Sequence, residues 1–264
     1  MNSFLSDLNS HPRDKYIQFE EGPHIYTVDG DSNYTSVTTL IHKHFEHFDA
    51  DKIIDNMMKS KNWPSNKKYY GKTKQEIKQL WDDNRDHAAK LGTQLHYEIE
   101  CFYNKITQNT DDVLFPLING VEYSYFMKFY NDHIYLKPYR TEWIIYDKEL
   151  KIAGSIDMVF KNEDGTLSIY DWKRCTEITK VNRFNKFSNC HILSHLPDTN
   201  YWHYCLQLNT YKFLLEKNYN VTIRDLYLVC LHPETKSKNY LKIKVADLQN
   251  EVSCLLTLWL SMLS

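Results

Sequence analysis

The stretch KIAGSIDMVFKNEDGTLSIYDWKR, Lys151 to Arg174, decides the fold. Its first run alternates, so that Ile152, Ile156, Met158 and Phe160 share one face and Ser155, Asp157 and Val159 share the other. Asn162-Glu163-Asp164-Gly165 supplies turn chemistry, with Asp-Gly able to take positive φ, and Leu167 to Lys173 resumes as a strand. The pattern predicts a β-hairpin. On its second strand Asp171 and Lys173 point to one face and Trp172 to the other, so a carboxylate and an ammonium stand side by side. Across the hairpin Asp157 comes within bridging distance of Asp171. Two carboxylates held that close repel, and a shared proton or a divalent cation must resolve the conflict. Hard oxygen ligands favour Mg²⁺ or Mn²⁺. An Asp-x-Lys pair after an acidic turn is also common on solvated surfaces. Here, however, the pair closes an apolar strand, where unpaired charge is costly. The small residues Gly154 and Ser155 further predict a bulge or a close approach by another part of the chain.

Working outward, Gly92-Thr-Gln-Leu-His96-Tyr-Glu-Ile-Glu100 places His96 and Glu100 on one helix face, able to address one site. Gln207-Leu-Asn-Thr-Tyr211 repeats that spacing. Either pair alone is equally what a packed helix shows, with Tyr204, Leu208 and Tyr211 simply facing a core.

In this order the pieces carry a resemblance. Gly154-Ser-Ile-Asp157, a turn, then Asp171-Trp-Lys173 resembles the PD-(D/E)XK nuclease superfamily, with Asp171 in place of the more usual Glu. The His96 and Gln207/Tyr211 segments are similar to motifs of its RecB-type branch. Within that branch the chain looks like the mitochondrial genome-maintenance exonuclease and related viral and phage exonucleases, which His24-Ile-Tyr and Ser36-Val-Thr38 also fit. The likeness covers roughly residues 17 to 232.

The resemblance implies an α/β (α+β) fold of restriction-endonuclease type, a mixed central sheet flanked by helices. It implies a single domain over 1–264, with an N-terminal helical and basic substrate-binding elaboration at about 17–90. It implies an Mg²⁺- or Mn²⁺-dependent deoxyribonuclease, an exonuclease on single-stranded DNA or duplex ends, serving replication, repair or recombination. His96, Asp157, Asp171 and the backbone carbonyl of Trp172 would hold the metal. Lys173 would orient water or stabilise developing charge. Gln207 and Tyr211 would position the strand or the ligands, and Glu100 would support the ligands from behind. Glu142, one strand earlier, is a further candidate. Two other classes compete: an inactive nucleic-acid-binding module of the same fold, and a metal-dependent phosphohydrolase acting on a small compound.

A chain of 264 residues with 42% hydrophobic and 14% aromatic content can bury a substantial core. No apolar run approaches a membrane span, and Met1 to Arg13 lacks the pattern of a signal peptide, so a soluble, intracellular protein is expected. Some RecB-type nucleases hold an iron–sulfur cluster with closely spaced cysteines. The six here (Cys101, Cys175, Cys190, Cys205, Cys230 and Cys254) are scattered without a Cys-x-x-Cys, so no cluster and reduced thiols are expected. The net charge of −2 argues against a phosphate-binding surface overall, but the distribution is uneven. Between Lys59 and Lys78 lie Lys59, Lys61, Lys67, Lys68, Lys72, Lys74 and Lys78 against one acid, Glu76, with Trp63, Tyr69 and Tyr70 interleaved. This is either a track for a single strand or a solubilising loop. Arg174, Lys180 and Arg183 form a second basic group beside the hairpin, and Ser36 and Thr38 complete the expected DNA contacts.

Periodicity supplies the rest. Ser36 can cap a helix running to about His44. A longer helix from Thr73 carries His96 and Glu100 and is interrupted near Gly92. Another helix covers Tyr123 to His133, and strands are expected at Thr141–Tyr146, Leu226–Leu231 and Leu241–Val245 before a C-terminal helix.

Overall fold

The computed structural model describes residues 4–104 and 120–263. In chain order these form α1 (Phe4–Leu8), β1 (Ile17–Glu20), β2 (Ile25–Val28), β3 (Thr35–Ser36), α2 (Val37–His42), α3 (Ala50–Lys59) and α4 (Lys74–Tyr103). Then come α5 (Val121–Asp132), β4 (Lys137–Asp147), β5 (Ile152–Lys161), β6 (Leu167–Lys173), α6 (Asn200–Asn218), β7 (Ile223–Cys230), β8 (Leu241–Lys244) and α7 (Gln249–Leu263). The architecture is a mixed central sheet flanked by helices, as the sequence predicts.

The hairpin is β5–β6, antiparallel from Met158↔Tyr170 to Lys161↔Leu167. Gly165 makes its turn at φ 85°, and Asp164 Oδ1 accepts from Thr166 N at 3.0 Å. β4 pairs antiparallel with β5, β7 parallel with β6, and β8 antiparallel with β7. Two short elements share the other edge of β5. β3 pairs parallel with Ile152 and Ala153, and β6 takes over only at Met158. Between them, from Gly154 to Asp157, that edge has no strand partner among the described residues.

Helices cover both faces, so both faces of β5 are buried. Ile152, Ile156 and Val159 join the core formed with α2, α6 and α7, whereas Met158 and Phe160 join a second core with α4 and α5. This corrects the expectation that Ile152, Ile156, Met158 and Phe160 share one face. The alternation changes phase at Asp157. β4 does the same at the same level: Thr141 opposes Met158 and Trp143 opposes Ile156 in one register, while Glu142 and Asp157 between them leave the ladder unpaired. A strand apolar on both sides reads the same in either phase, which hid the switch from the sequence.

α4 is one continuous helix of 30 residues and passes through Gly92 without the expected interruption. Thr73 and Glu76 close a capping box at its start, and Leu95, Ile99 and Tyr103 anchor its far half in the second core. That burial outweighs the cost of about 1 kcal/mol for a mid-helix glycine. Ser36 is the N-cap of α2, its Oγ accepting from Thr39 N at 3.0 Å. Among the described residues no helix is long and apolar enough to cross a membrane.

Candidate active site

The unpaired edge of β5 is where the chemistry-bearing side chains gather. β5 and β6 part after Met158 and Tyr170, and the Asp157 side chain fills the gap, its Oδ2 accepting from Trp172 N at 2.8 Å. On the opposite edge Glu142 has φ 42°, a region that costs a non-glycine residue about 1 kcal/mol or more. Ser155 Oγ donates to Glu142 Oε2 at 3.0 Å and fixes the carboxylate.

α4 brings the third group. Leu95 and Ile99 are buried in the core beneath the helix, which leaves His96 aimed between the parted strands. Its Nε2 lies 2.9 Å from the carbonyl oxygen of Trp172, and its Nδ1 lies 3.6 Å from Asp157 Oδ2 and 3.8 Å from Glu142 Oε1. Potential ligand atoms of His96, Glu142 and Asp157 all fall within 4.8 Å of one another. Burial alone would lower the His96 pKa, but the carboxylates of Asp157 and Glu142 outweigh it and lift it to about 9. Burial likewise pushes Asp157 above the usual carboxylate range, against the pull of His96 and Lys173.

Asp171 and Lys173 stand side by side as expected, with Lys173 Nζ 2.7 Å from Asp171 Oδ2. Burial raises the Asp171 carboxyl, while Asp171 and Asp157 raise Lys173 against its own burial. The Lys173 ammonium also sits 4.7 Å from the centre of the Tyr204 ring. Neither Asp171 oxygen makes a hydrogen bond of good geometry. Oδ2 has the ion pair, and Oδ1 is buried without a hydrogen-bond partner among the described residues.

These distances place the expected ligands relative to one another. His96 and Asp157 stand in one three-residue group with Glu142, a further candidate in the sequence, while Asp171 beside them is paired with Lys173. The Trp172 carbonyl and His96, both expected ligands, are bonded to each other. One imidazole with carboxylate oxygens is a donor set that suits Mn²⁺, and Mg²⁺ less strongly. The orphan Asp171 Oδ1 beside it is a polar atom that a cation or water would satisfy.

α6 closes the site from behind. Gln207 Nε2 donates to Tyr211 Oη at 3.1 Å, and both residues are buried. A Cβ at Gly154 would stand 2.7 Å from Tyr211 Cε1, so the glycine permits the close approach that its small size predicts. In front, a cavity of about 740 Å³ opens between the β1–β2 hairpin and α4, with Phe19, His24, Tyr26, Tyr97 and Glu100 in its walls beside His96 and Glu142. The hairpin's aromatic wall is formed by residues the sequence did not single out individually beyond His24-Ile-Tyr. Their spacing is that of any short strand pair.

The expected DNA contacts fare unevenly. Arg174 is not open to a phosphate, because Nε and Nη2 lie 3.0 and 2.8 Å from Glu122 Oε1 in a largely buried pair. Lys74 binds Asp51 and Asp55 at 3.2 and 2.9 Å, and Lys78 binds Asp51 at 2.9 Å. The count of seven lysines against one acid therefore overstated the charge, since α3 folds two further acids onto the segment. Lys67, Lys68 and Lys72 remain exposed. Tyr69 accepts from Trp81 Nε1 at 2.9 Å, and Trp63 packs edge-on against Tyr70. Thr38 bonds Ser36 at the α2 cap. Lys180 and Arg183 are exposed.

No protein-family model matches the chain, and no curated protein matches it. Among solved structures it is similar to the crystal structure of SSO0001, at 13% identity and TM-score 0.35 over 89% of this chain and 77% of that one. It is also similar to a candidate exonuclease from Eubacterium rectale, at 10% identity and TM-score 0.39 over 88% of this chain and 79% of that one. At these scores neither likeness assigns a family or an activity.

Proposed function

We propose that the chain is a divalent-metal-dependent deoxyribonuclease, acting as an exonuclease on single strands or duplex ends. The observation that carries this reading is the convergence of His96, Glu142 and Asp157 at the break in the β5 edge, next to a buried Asp171–Lys173 pair. A cation bound by those three residues, Mn²⁺ or Mg²⁺, would lower the pKa of a water and neutralise charge on the scissile phosphate.

The protein's own groups do the rest. Lys173, fixed between Asp171 and the Tyr204 ring, presents an ammonium where negative charge grows on the phosphorane. Asp171 Oδ1, buried and unpartnered, is the acceptor that can orient the attacking water. Gln207 and Tyr211 hold β5 and α6 at the separation that keeps the edge open. Glu100 lines the cavity one helical turn beyond His96.

Digestion of end-labelled linear and circular single strands with Mn²⁺ or Mg²⁺ tests the reading. Release of short products from linear DNA only, abolished by EDTA, is expected. Binding without cleavage would point to an inactive module of the same fold. Hydrolysis of small phosphate esters without competition by DNA would point to a phosphohydrolase.

A further inference from the structure

Between β6 and α6 the chain holds three apolar side chains in water within seven residues. Val181 is 75%, Phe184 84% and Phe187 45% exposed. Burying such a side chain is worth about 1.5–3 kcal/mol, so their joint exposure is a surface awaiting a cover. The segment that carries them is tied down. Asn182 Oδ1 accepts from Phe184 N at 2.8 Å, and its Nδ2 donates to the Asp198 carbonyl at 2.6 Å. Phe187 bridges Pro197, Asp198 N donates to Lys186 O at 2.9 Å, and Trp202 Nε1 donates to Lys180 O at 3.0 Å. Phe184 is thus presented by a built turn, with Asn185 beside it at φ 56°.

The charges around it point to the partner. Lys186 is neutralised by Glu46 at 2.6 Å, but Lys180 and Arg183 have no ion-pair partner among the described residues. Lys180 Nζ lies 4.4 Å from the Tyr201 ring, and Lys173 lies 4.7 Å from the Tyr204 ring. Tyr201 and Tyr204 are one turn apart on α6, about 5 Å. Lys180 and Lys173 therefore lie against neighbouring rings of one helix, which puts the unpaired Lys180 ammonium on the part of α6 that also borders the candidate site.

We propose that Lys180 to Phe187 is a stacking lip for single-stranded nucleic acid, in which Phe184 receives an unpaired base and Lys180 and Arg183 take the flanking phosphates. The inference rests on the nuclease reading of the neighbouring site and adds the form of the substrate: an unpaired strand, because a base inside a duplex has no free face to offer Phe184.

The test is binding, measured by fluorescence anisotropy in EDTA so that it stands apart from cleavage. The probes are a labelled single strand of about 20 nucleotides and the matching blunt duplex, a length chosen to exceed one single-strand site. Phe184→Ala should weaken single-strand binding by about 5- to 100-fold, the loss of one base stack, with the duplex changed less than about twofold. Phe184→Trp should retain the affinity. A 2-aminopurine placed along the strand should be quenched at one position by wild-type protein and not by Phe184→Ala. Lys180→Ser with Arg183→Ser should reduce the salt slope by about 1.5, at about 0.7 per phosphate contact. Phe184→Ala binding as tightly as wild type, or wild type binding no single strand, overturns the proposal. So does a Phe184 effect confined to phosphatidylserine vesicles, which would make the lip a membrane contact. Loss of cleavage with binding intact would strike the nuclease reading alone.

Discussion

At the scale of single residues, the account turns on what each charge leaves behind when its partner is removed. Lys173 balances a buried carboxylate as well as facing the site. Lys173→Ala should therefore lower turnover about 10²-fold, as loss of one preorganised donor does, and also destabilise the fold by about 3–5 kcal/mol through the stranded Asp171. Adding Asp171→Asn should recover stability in urea unfolding without recovering turnover. Recovery of both would place the pair in structure alone. The sequence made Asp171 and Lys173 neighbours because the two-residue period of a strand is rigid. It could not group Glu142 with Asp157 and His96, because that depends on how β5 and β6 part, where Asp157 replaces a backbone acceptor for Trp172 N. Glu142 was legible only as an acid on a strand, since its φ of 42° has no local signature.

At the scale of elements, α6 must lie against β5 without closing the gap in its edge. Gly154→Ala would drive a methyl into the Tyr211 ring, and we expect a loss of about 1–3 kcal/mol in denaturant unfolding. Tyr211→Leu should restore part of it, and an unchanged midpoint for Gly154→Ala would show that α6 moves freely. The end of β4 offers a pH-dependent check away from the site. Asp147 is buried, which alone would raise its pKa, but hydrogen bonds from Leu150 N and Asn218 and the Lys217 ammonium bring it below the usual carboxylate value. Because the folded value is the lower one, its contribution is complete above the unfolded value of about 3.9 and disappears as pH falls through the folded one. Asp147→Asn should lower stability at pH 7 by about 1–3 kcal/mol and flatten the acid limb of the stability profile. An unaltered acid limb would contradict it. Helices and strands were readable here because their periods are local. The continuity of α4 through Gly92 was not, because the buried face formed by Leu95, Ile99 and Tyr103 decides it.

At the scale of the whole molecule, α4 acts as a spacer. It begins at Lys74 and reaches His96 about 33 Å later at 1.5 Å per residue. The exposed Lys67, Lys68 and Lys72 flank Tyr69, which is bonded to Trp81, about 22 Å along the helix from His96, so they can grip only a distant part of a substrate. Changing these three to Ser should weaken binding of long strands and reduce the salt slope by about 2, while strands shorter than about 6 nucleotides are unaffected. Equal losses at both lengths would bring that segment to the site and contradict the geometry. The central claim is that His96, Glu142 and Asp157 form one cation site. Its most direct measurement is Mn²⁺ titration followed by electron paramagnetic resonance, for wild type, Glu142→Gln and Asp157→Asn, with circular dichroism to verify folding. The account predicts saturable binding in wild type and affinity at least about 10-fold weaker in each variant, the scale on which loss of a supporting group is felt at metal sites. Folded variants that bind Mn²⁺ as tightly as wild type would contradict it.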